Sequence, residues 1–271
     1  MTNLLDCVRS FQFRGKRRLW DFITPVAGRK TAEVFGAALD LDLANYVDRT
    51  IYMGCYEPLN TSLFRRILSP GGVVVDVGAN IGYFSLLAAS LVGKTGKVIA
   101  VEAHPRNFEI LSSAVRDNGL EQVTAVNIGL SDEIGSAQVI MADQNEFPNR
   151  TASTVPQPGL SGPSVSLRRL DDCINDWKID TIDLLKIDVD GFETKVLRGA
   201  AESLRAGRVK NVIVEMDAHW LSASGSSEGQ LTALLEAAGF SVSQHPVASF
   251  FLGPVDDRHF IRGGTSKNNH Q

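Results

Sequence analysis

The stretch VVVDVGANIGYFSLLAASLV, residues 73–92, constrains this chain more than any other part of it. Its first half, Val73–Val77, is the β-branched apolar run expected of a parallel strand covered on both faces. Its second half places Phe84, Leu87, Ala88 and Leu91 at i, i+3, i+4 and i+7, the period of a helix with one buried side. Gly78, Asn80 and Gly82 sit at the join. Gly78 lets the chain turn sharply off the strand, and Gly82 lets the helix approach the sheet. The N–H groups exposed at such a turn can meet an anionic or polar ligand group.

The same alternation continues downstream. Lys97–Glu102 (KVIAVE) and Gln122–Asn127 (QVTAVN) read as the second and third strands. Pro105 opens a helix between them, with Phe108, Leu111 and Val115 as its expected inner face. Ile182–Asp188 (IDLLKID) is a fourth strand, and a helix from Glu193 to Ala206 is stopped by Gly207. Lys210–Met216 (KNVIVEM) is a fifth, and a helix marked by Leu231, Leu234, Leu235 and Ala238 is closed by Gly239. FSVSQ and the segment around SFFLGP are expected to finish the sheet. The fold class is α/β, a doubly wound, mostly parallel sheet. Between Ser131 and Ser164, Pro148, Pro156, Pro158 and Pro163 among small polar residues predict a loop or hairpin insertion.

Composition narrows the function. The chain has 271 residues, 44% of them hydrophobic, and a formal net charge of −4, unlike a strongly basic nucleic-acid binder. No window reaches the ~18 uninterrupted apolar residues of a membrane span. The first residues, MTNLLDCVRSFQFRGKRRLW, lack a secretory signal, and Cys7, Cys55 and Cys173 have no metal-like spacing. Reduced thiols and a cytoplasmic location are expected. Residues 1–66 are expected to form a helical cap or extension, 67–262 the main domain, and 263–271 a polar, disordered tail. Arg9, Arg14, Lys16, Arg17, Arg18, Arg29 and Lys30, interleaved with aromatics, make the N-terminus basic. A cap over the active site is the favoured reading; peripheral contact with anionic lipid or an anionic carrier is the alternative.

In a doubly wound sheet the ligand sits beyond the C-terminal strand ends, beside the first strand. Glu102 ends the second strand twenty positions after Gly82, where a carboxylate can accept from two ribose hydroxyls. The cofactor is therefore expected to contain adenosine. The loop reads G-A-N-I-G instead of G-x-G-x-x-G, and Asn80 would crowd a pyrophosphate. With Asp76 available to orient an ammonium group, S-adenosylmethionine fits better than NAD.

Taken together, VVVDVGANIGYFSLLAA, VIAVEAHPRNFEIL, VNIGLSD, LKIDVDGFETKVLRGA and VIVEMD resemble the FkbM family of S-adenosylmethionine-dependent methyltransferases. The similarity runs from about Val47 to Gly239, and the upstream YEPLNTSLFRRIL is similar to the family's approach to the first strand. The resemblance implies a Rossmann-like class I methyltransferase fold, with seven strands of which the last is antiparallel. It also implies O-methylation of a sugar, glycan or natural-product hydroxyl. On the matching positions, Asp76, Gly78, Asn80 and Gly82 would line the methionine end of the cofactor, with Tyr83 and Phe84 near the loop. Glu102 would hold the ribose, flanked by Ala103 and His104, and Asn127 to Ser131 would lie near the adenine. Glu57 and Thr61 would close over the amino-acid end, and Asp188 would stand beside the transferable methyl. Asp190 occupies a position where the family often has glutamate.

An alcohol acceptor needs a base. Asp188 is the first candidate and His219 the second, with Glu215 able to orient either; capping of the helix near Glu193 is the competing role for Asp188 and Asp190. A Mg²⁺ ion held by Asp188, Asp190, Asp217 and His219 is a further alternative, and no metal is assigned. An NAD-dependent oxidoreductase and a non-catalytic cofactor-binding module are the other function classes.

Overall fold

Four elements precede the first strand predicted from sequence. In the computed structural model, which describes residues 28–141, 152–153, 162–243 and 257–263, strands β1 (Arg29–Val34) and β2 (Ala37–Asp42) pair as an antiparallel hairpin. Helices α1 (Tyr46–Tyr52) and α2 (Pro58–Ile67) follow. The described part of the extension is thus not wholly helical. The reason is a period of two: Ala32, Val34, Ala37, Leu39 and Leu41 point inward while Thr31, Glu33, Ala38 and Asp40 face solvent. The connection, Phe35–Gly36, has positive φ at both residues, which matches the twist of a tight hairpin. Arg29 and Lys30 are exposed on it; the rest of the basic N-terminal stretch lies outside the described residues.

The alternation then runs as expected through β3 (Val73–Val77), α3 (Tyr83–Val92), β4 (Lys97–Val101), α4 (Pro105–Asp117) and β5 (Val123–Val126). The inner face of α4 is Asn107, Leu111 and Ala114, with Phe108 only half-buried. The insertion that follows is a set of short strands: β6 (Gly129–Leu130), β7 (Gly135–Gln138), β8 (Ile140–Met141), β9 (Ala152–Ser153) and β10 (Ser164–Arg168). β10 pairs with β6 in parallel and with β7 antiparallel, and β8 pairs with β9. Next come α5 (Leu170–Asp176), β11 (Leu184–Ile187), α6 (Glu193–Gly199), α7 (Ala201–Arg205) and β12 (Asn211–Glu215). The described chain ends with α8 (Ala218–Ala223), α9 (Glu228–Ala237), β13 (Phe240–Val242) and β14 (Asp257–Arg262).

The central sheet has seven strands in the order β13-β14-β12-β11-β3-β4-β5. Only β14 runs antiparallel, to β12 on one side and β13 on the other. It begins after SFFLGP, which lies outside the described residues, as does the polar tail after Gly263. β3 lies between β4 and β11, so the winding reverses there and a crevice opens at its C-terminal end. Val75, Val77, Ile99, Leu185, Ile187, Val212 and Val214 cover one face of the sheet together with α5, α6 and α9. Val74, Val98, Leu184 and Ile213 cover the other with α2 and α3. Burying each such side chain stabilises the fold by roughly 1.5–3 kcal/mol, which is why these strands read as unbroken apolar runs.

Close approach explains two breaks in regularity. The helix expected over 193–206 divides at Gly199, where a Cβ would lie 2.0 Å from the Ser131 carbonyl oxygen. At Gly78, with φ +76°, a Cβ would lie 1.7 Å from the Asp188 carbonyl oxygen. Gly78→Ala should therefore lose roughly 3 kcal/mol or fail to fold, because backbone cannot yield as a side chain would. Gly119→Ala, also at positive φ but with open space around it, should lose only about 1 kcal/mol. Urea denaturation compares the two, and a wild-type midpoint for Gly78→Ala would contradict this packing.

Candidate active site

Strand parity decides which side chains reach the crevice. Asp76 of β3 pairs with Ala100 of β4 and Lys186 of β11, and Lys186 pairs with Ile213 of β12. Two residues further along, on the same face, come Glu102, Gly78, Asp188 and Glu215. Glu215 in turn pairs with Asp257 of β14. Four carboxyl groups thus form one row across the edge of the sheet, and Gly78 leaves the gap within it.

Packing acids this closely raises their proton affinity. Burial, then the charge of Glu57, pushes Asp257 up to about 7. Burial likewise lifts Glu102 to about 7, against the pull of two backbone N–H groups. Glu215 is held well above the usual carboxylate range, first by the charge of Asp188 and then by burial. Glu57 is raised by burial and by Asp188; Asn60 Nδ2 donates to Glu57 Oε2 at 2.8 Å and to Asp257 Oδ2 at 2.6 Å.

Beneath the row lies Lys186, only 2% exposed. Its Nζ donates to Asp188 Oδ2 at 2.8 Å, lies 3.9 Å from Asp76 Oδ1 and sits 5.0 Å from the Phe84 ring centroid. Burial disfavours the ammonium, but the carboxylates of Asp188, Asp76 and Glu57 outweigh it and hold Lys186 above the ordinary lysine range. Sequence reasoning passed over this residue; the signal was a lone cation inside the apolar strand LLKI.

A cavity of about 460 Å³ opens above, within the size range of small-molecule sites. Of the residues expected at the site, Glu57, Gly78, Asn80, Tyr83, Phe84, Glu102, Ala103, Asp188 and His219 line it. Glu57, Asn80 and Asp190, all non-glycine residues at positive φ, also border it, and such strain gathers at functional sites. Tyr83 belongs to an aromatic cluster with Phe35 at 5.0 Å, Tyr56 at 4.9 Å and Phe84 at 5.1 Å, so the hairpin turn touches the cavity wall. Its hydroxyl is 3.2 Å from Thr61 Oγ1 and donates to the Tyr56 carbonyl at 3.2 Å.

Six expected residues do not line the cavity, Thr61 behind Tyr83 among them. Asp76 is fully buried beneath α3, where Ser85 Oγ donates to its Oδ2 at 2.6 Å; it lies two residues short of the row at the strand ends, on the same face, and the helix covers it. Gly82 serves the helix contact, since a Cβ there would lie 2.8 Å from Leu111 Cδ1. His104 caps α4, its Nδ1 accepting from Arg106 N–H at 3.3 Å, and burial lowers its proton affinity. Asn127 Nδ2 donates to the carbonyls of Glu102 and Ala103 at 2.8 and 2.9 Å, so it braces that loop from behind. Ser131 is buried under Gly199, its N–H donating to the Arg168 carbonyl. At the start of α6 the N-cap residue is Phe192, which makes no side-chain cap bond. Instead Glu193 Oε1 accepts from Val189 N–H at 3.2 Å and Gly191 N–H at 3.1 Å, closing the loop on itself.

Glu102 is fixed on both oxygens: Oε2 accepts from Asn80 N–H and Oε1 from His104 N–H, each at 2.8 Å. Each oxygen retains a second acceptor site. His219 is exposed at the rim, its ring 5.3 Å from Trp220, in the helix turn capped by Asp217. Among the described residues, no three His, Cys, Asp or Glu side chains are arranged to hold a metal ion. Among them, too, no helix is long and apolar enough to cross a membrane.

The family model described as the Methyltransferase FkbM domain matches residues 76–242. This chain belongs to that family. The FkbM domain proteins are S-adenosylmethionine-dependent methyltransferases, and the oxidoreductase reading falls with that assignment. The chain is 28% identical over 235 residues to methyltransferase sdnD of Sordaria araneosa, covering 74% of this chain and 83% of the relative. It is 30% identical over 210 residues to 31-O-demethyl-FK506 methyltransferase FkbM of Streptomyces tacrolimicus, covering 65% of this chain and 75% of the relative. Among solved structures, Methyltransferase FkbM from Methylobacillus flagellatus KT matches at a TM-score of 0.46 and 15% identity, covering 91% of this chain and 59% of that one. The strand order with its single antiparallel member is the class I methyltransferase arrangement that the resemblance implied.

The raised carboxyls have a measurable consequence. Glu102 and Asp257 have folded-state values of about 7, against ordinary values of 4.5 and 3.8. Across that window the folded chain holds protons that the unfolded chain has released, so stability falls as pH rises. The ligand-free melting temperature should therefore drop between about pH 5 and about pH 8, read by scanning calorimetry. A rise over that range would mean that these carboxyls are ionised when folded.

Proposed function

We propose that the protein transfers the methyl group of S-adenosylmethionine to a hydroxyl oxygen of a small-molecule or glycan acceptor, such as a sugar or a natural product. The observation that carries this reading is Asp188: it ends β11 on the cavity wall, and Lys186 fixes its Oδ2 at 2.8 Å. The Streptomyces relative is named a 31-O-demethyl-FK506 methyltransferase, and the oxygen in that name supports an oxygen acceptor here.

The cavity's donor set suits such a cofactor. Glu102 holds the ribose through its remaining acceptor sites, and Ala103 with Ile128, Leu130 and Leu167 form an apolar slot for the adenine. Gly78, Asn80, Tyr83 and Glu57 surround the amino-acid end. When bound, S-adenosylmethionine supplies a methyl group activated on a sulfonium, which calls for in-line attack by the acceptor oxygen. The protein's contribution is placement, worth up to ~7–11 kcal/mol in well-oriented systems. Asp188 accepts the proton of the acceptor hydroxyl, a step that typically contributes about 10²–10⁴-fold. Lys186 keeps its carboxylate aimed, and His219 at the rim passes the proton to solvent. Tyr56, Phe192 and Trp220 wall the site against water.

Labelled methyl transfer to a panel of hydroxylated acceptors tests the reaction, and a thermal shift with S-adenosylhomocysteine but not with NADH tests the cofactor. Asp188→Asn should lower kcat by about 10²-fold or more with cofactor affinity nearly unchanged. Equal turnover would remove Asp188 from the chemistry. Glu102→Ala should weaken S-adenosylhomocysteine binding by about tenfold or more in calorimetric titration, and unchanged affinity would mean that the ribose is held elsewhere.

A further inference from the structure

Asn107 has no part in the arrangement described so far. It stands three residues after the His104 cap of α4 and is 1% exposed. On this helix Leu111 and Ala114 face inward, at i+4 and i+7 from it, so the pattern calls for an apolar residue at 107. The chain instead places a carboxamide there. Its Oδ1 is buried and accepts no hydrogen bond from the protein. Leaving a buried polar atom unpaired costs stability, and where native chains do so the group commonly meets a ligand or a water.

The side chain lines the cavity in common with Glu102 and Ala103, one helical turn past the loop that carries them. Val47 and Ile51 of α1 and Ile81 also line it, so the polar groups of this wall are few. When ionised, Glu102 can only accept, and each of its oxygens already takes one N–H. A ribose diol presents two hydroxyls, each of which both donates and accepts. Glu102 can take one of these protons, and the unpaired Asn107 Oδ1 is an acceptor for the other.

We propose that Asn107 is a second sugar-binding residue, its carboxamide hydrogen-bonding a ribose hydroxyl of the adenosyl cofactor alongside Glu102. The inference rests on the cofactor orientation given under Proposed function. Its test separates the two. The full chain and its Asn107→Leu and Asn107→Ala variants are titrated calorimetrically with S-adenosylhomocysteine and with its 2′-deoxy and 3′-deoxy analogues, and each ligand-free protein is melted. Asn107→Leu should weaken S-adenosylhomocysteine binding by about tenfold while raising the ligand-free melting temperature, because it removes an unpaired buried polar group. For one of the two deoxy analogues the wild-type advantage should vanish. Asn107→Ala should show the same loss of affinity without relying on the larger side chain being accommodated.

Unchanged affinity in both variants overturns the proposal. So does a fall in ligand-free melting temperature with affinity intact, which is the mark of an amide satisfied by structural water. An equal loss for the parent ligand and both analogues overturns the ribose contact. Wild-type protein that binds no S-adenosylhomocysteine removes the cofactor reading itself, and this inference with it.

Discussion

One buried ammonium makes the working edge of this sheet tenable. Lys186 lies under a line of acids, bonded to Asp188 and close to Asp76, with the Phe84 ring against it. Carboxyls placed side by side across neighbouring strands repel one another, and burial adds to the penalty. The cation offsets part of that, and proton uptake by Glu102, Glu215 and Asp257 offsets more. Take Lys186 away and Asp76 keeps only the Ser85 hydroxyl as a partner in the interior. The geometry of the crevice is thus inseparable from its electrostatics.

How much of this was legible depends on whether the signal was local. The parallel strands were readable because burial on both faces leaves unbroken β-branched runs such as VVVDV and NVIVE. The turn at Gly78 and the acid at Glu102 were readable because spacing alone fixes them relative to strand ends. The hairpin at Arg29–Asp42 was missed although its period of two is present in TAEVFGAALDLD. Basic residues upstream drew attention toward a helix. β14 was not legible because its residues, DRHFIR, contain no apolar run.

At the site, register limits what the sequence can show. Asp76 and Asp188 share one face of the sheet, and only register tells that Asp76, two residues further back, is covered by α3 while Asp188 reaches the cavity. Asn127 and His104 were placed near the ligand by motif and proved to be braces, one for a loop and one for a helix start. Lys186 and Asn107 were overlooked because each is a single polar residue in an apolar pattern. Such interruptions are where a sequence departs from what folding alone would select.

The position of β14 also governs when this protein can become complete. It threads between β12 and β13, both of which precede it in the chain, and it brings Asp257, the last acid of the edge. While the ribosome is still translating the residues before it, β12 has nothing on its outer side. A nascent chain stalled short of residue 262 therefore exposes an unpaired strand edge to chaperones and to other chains.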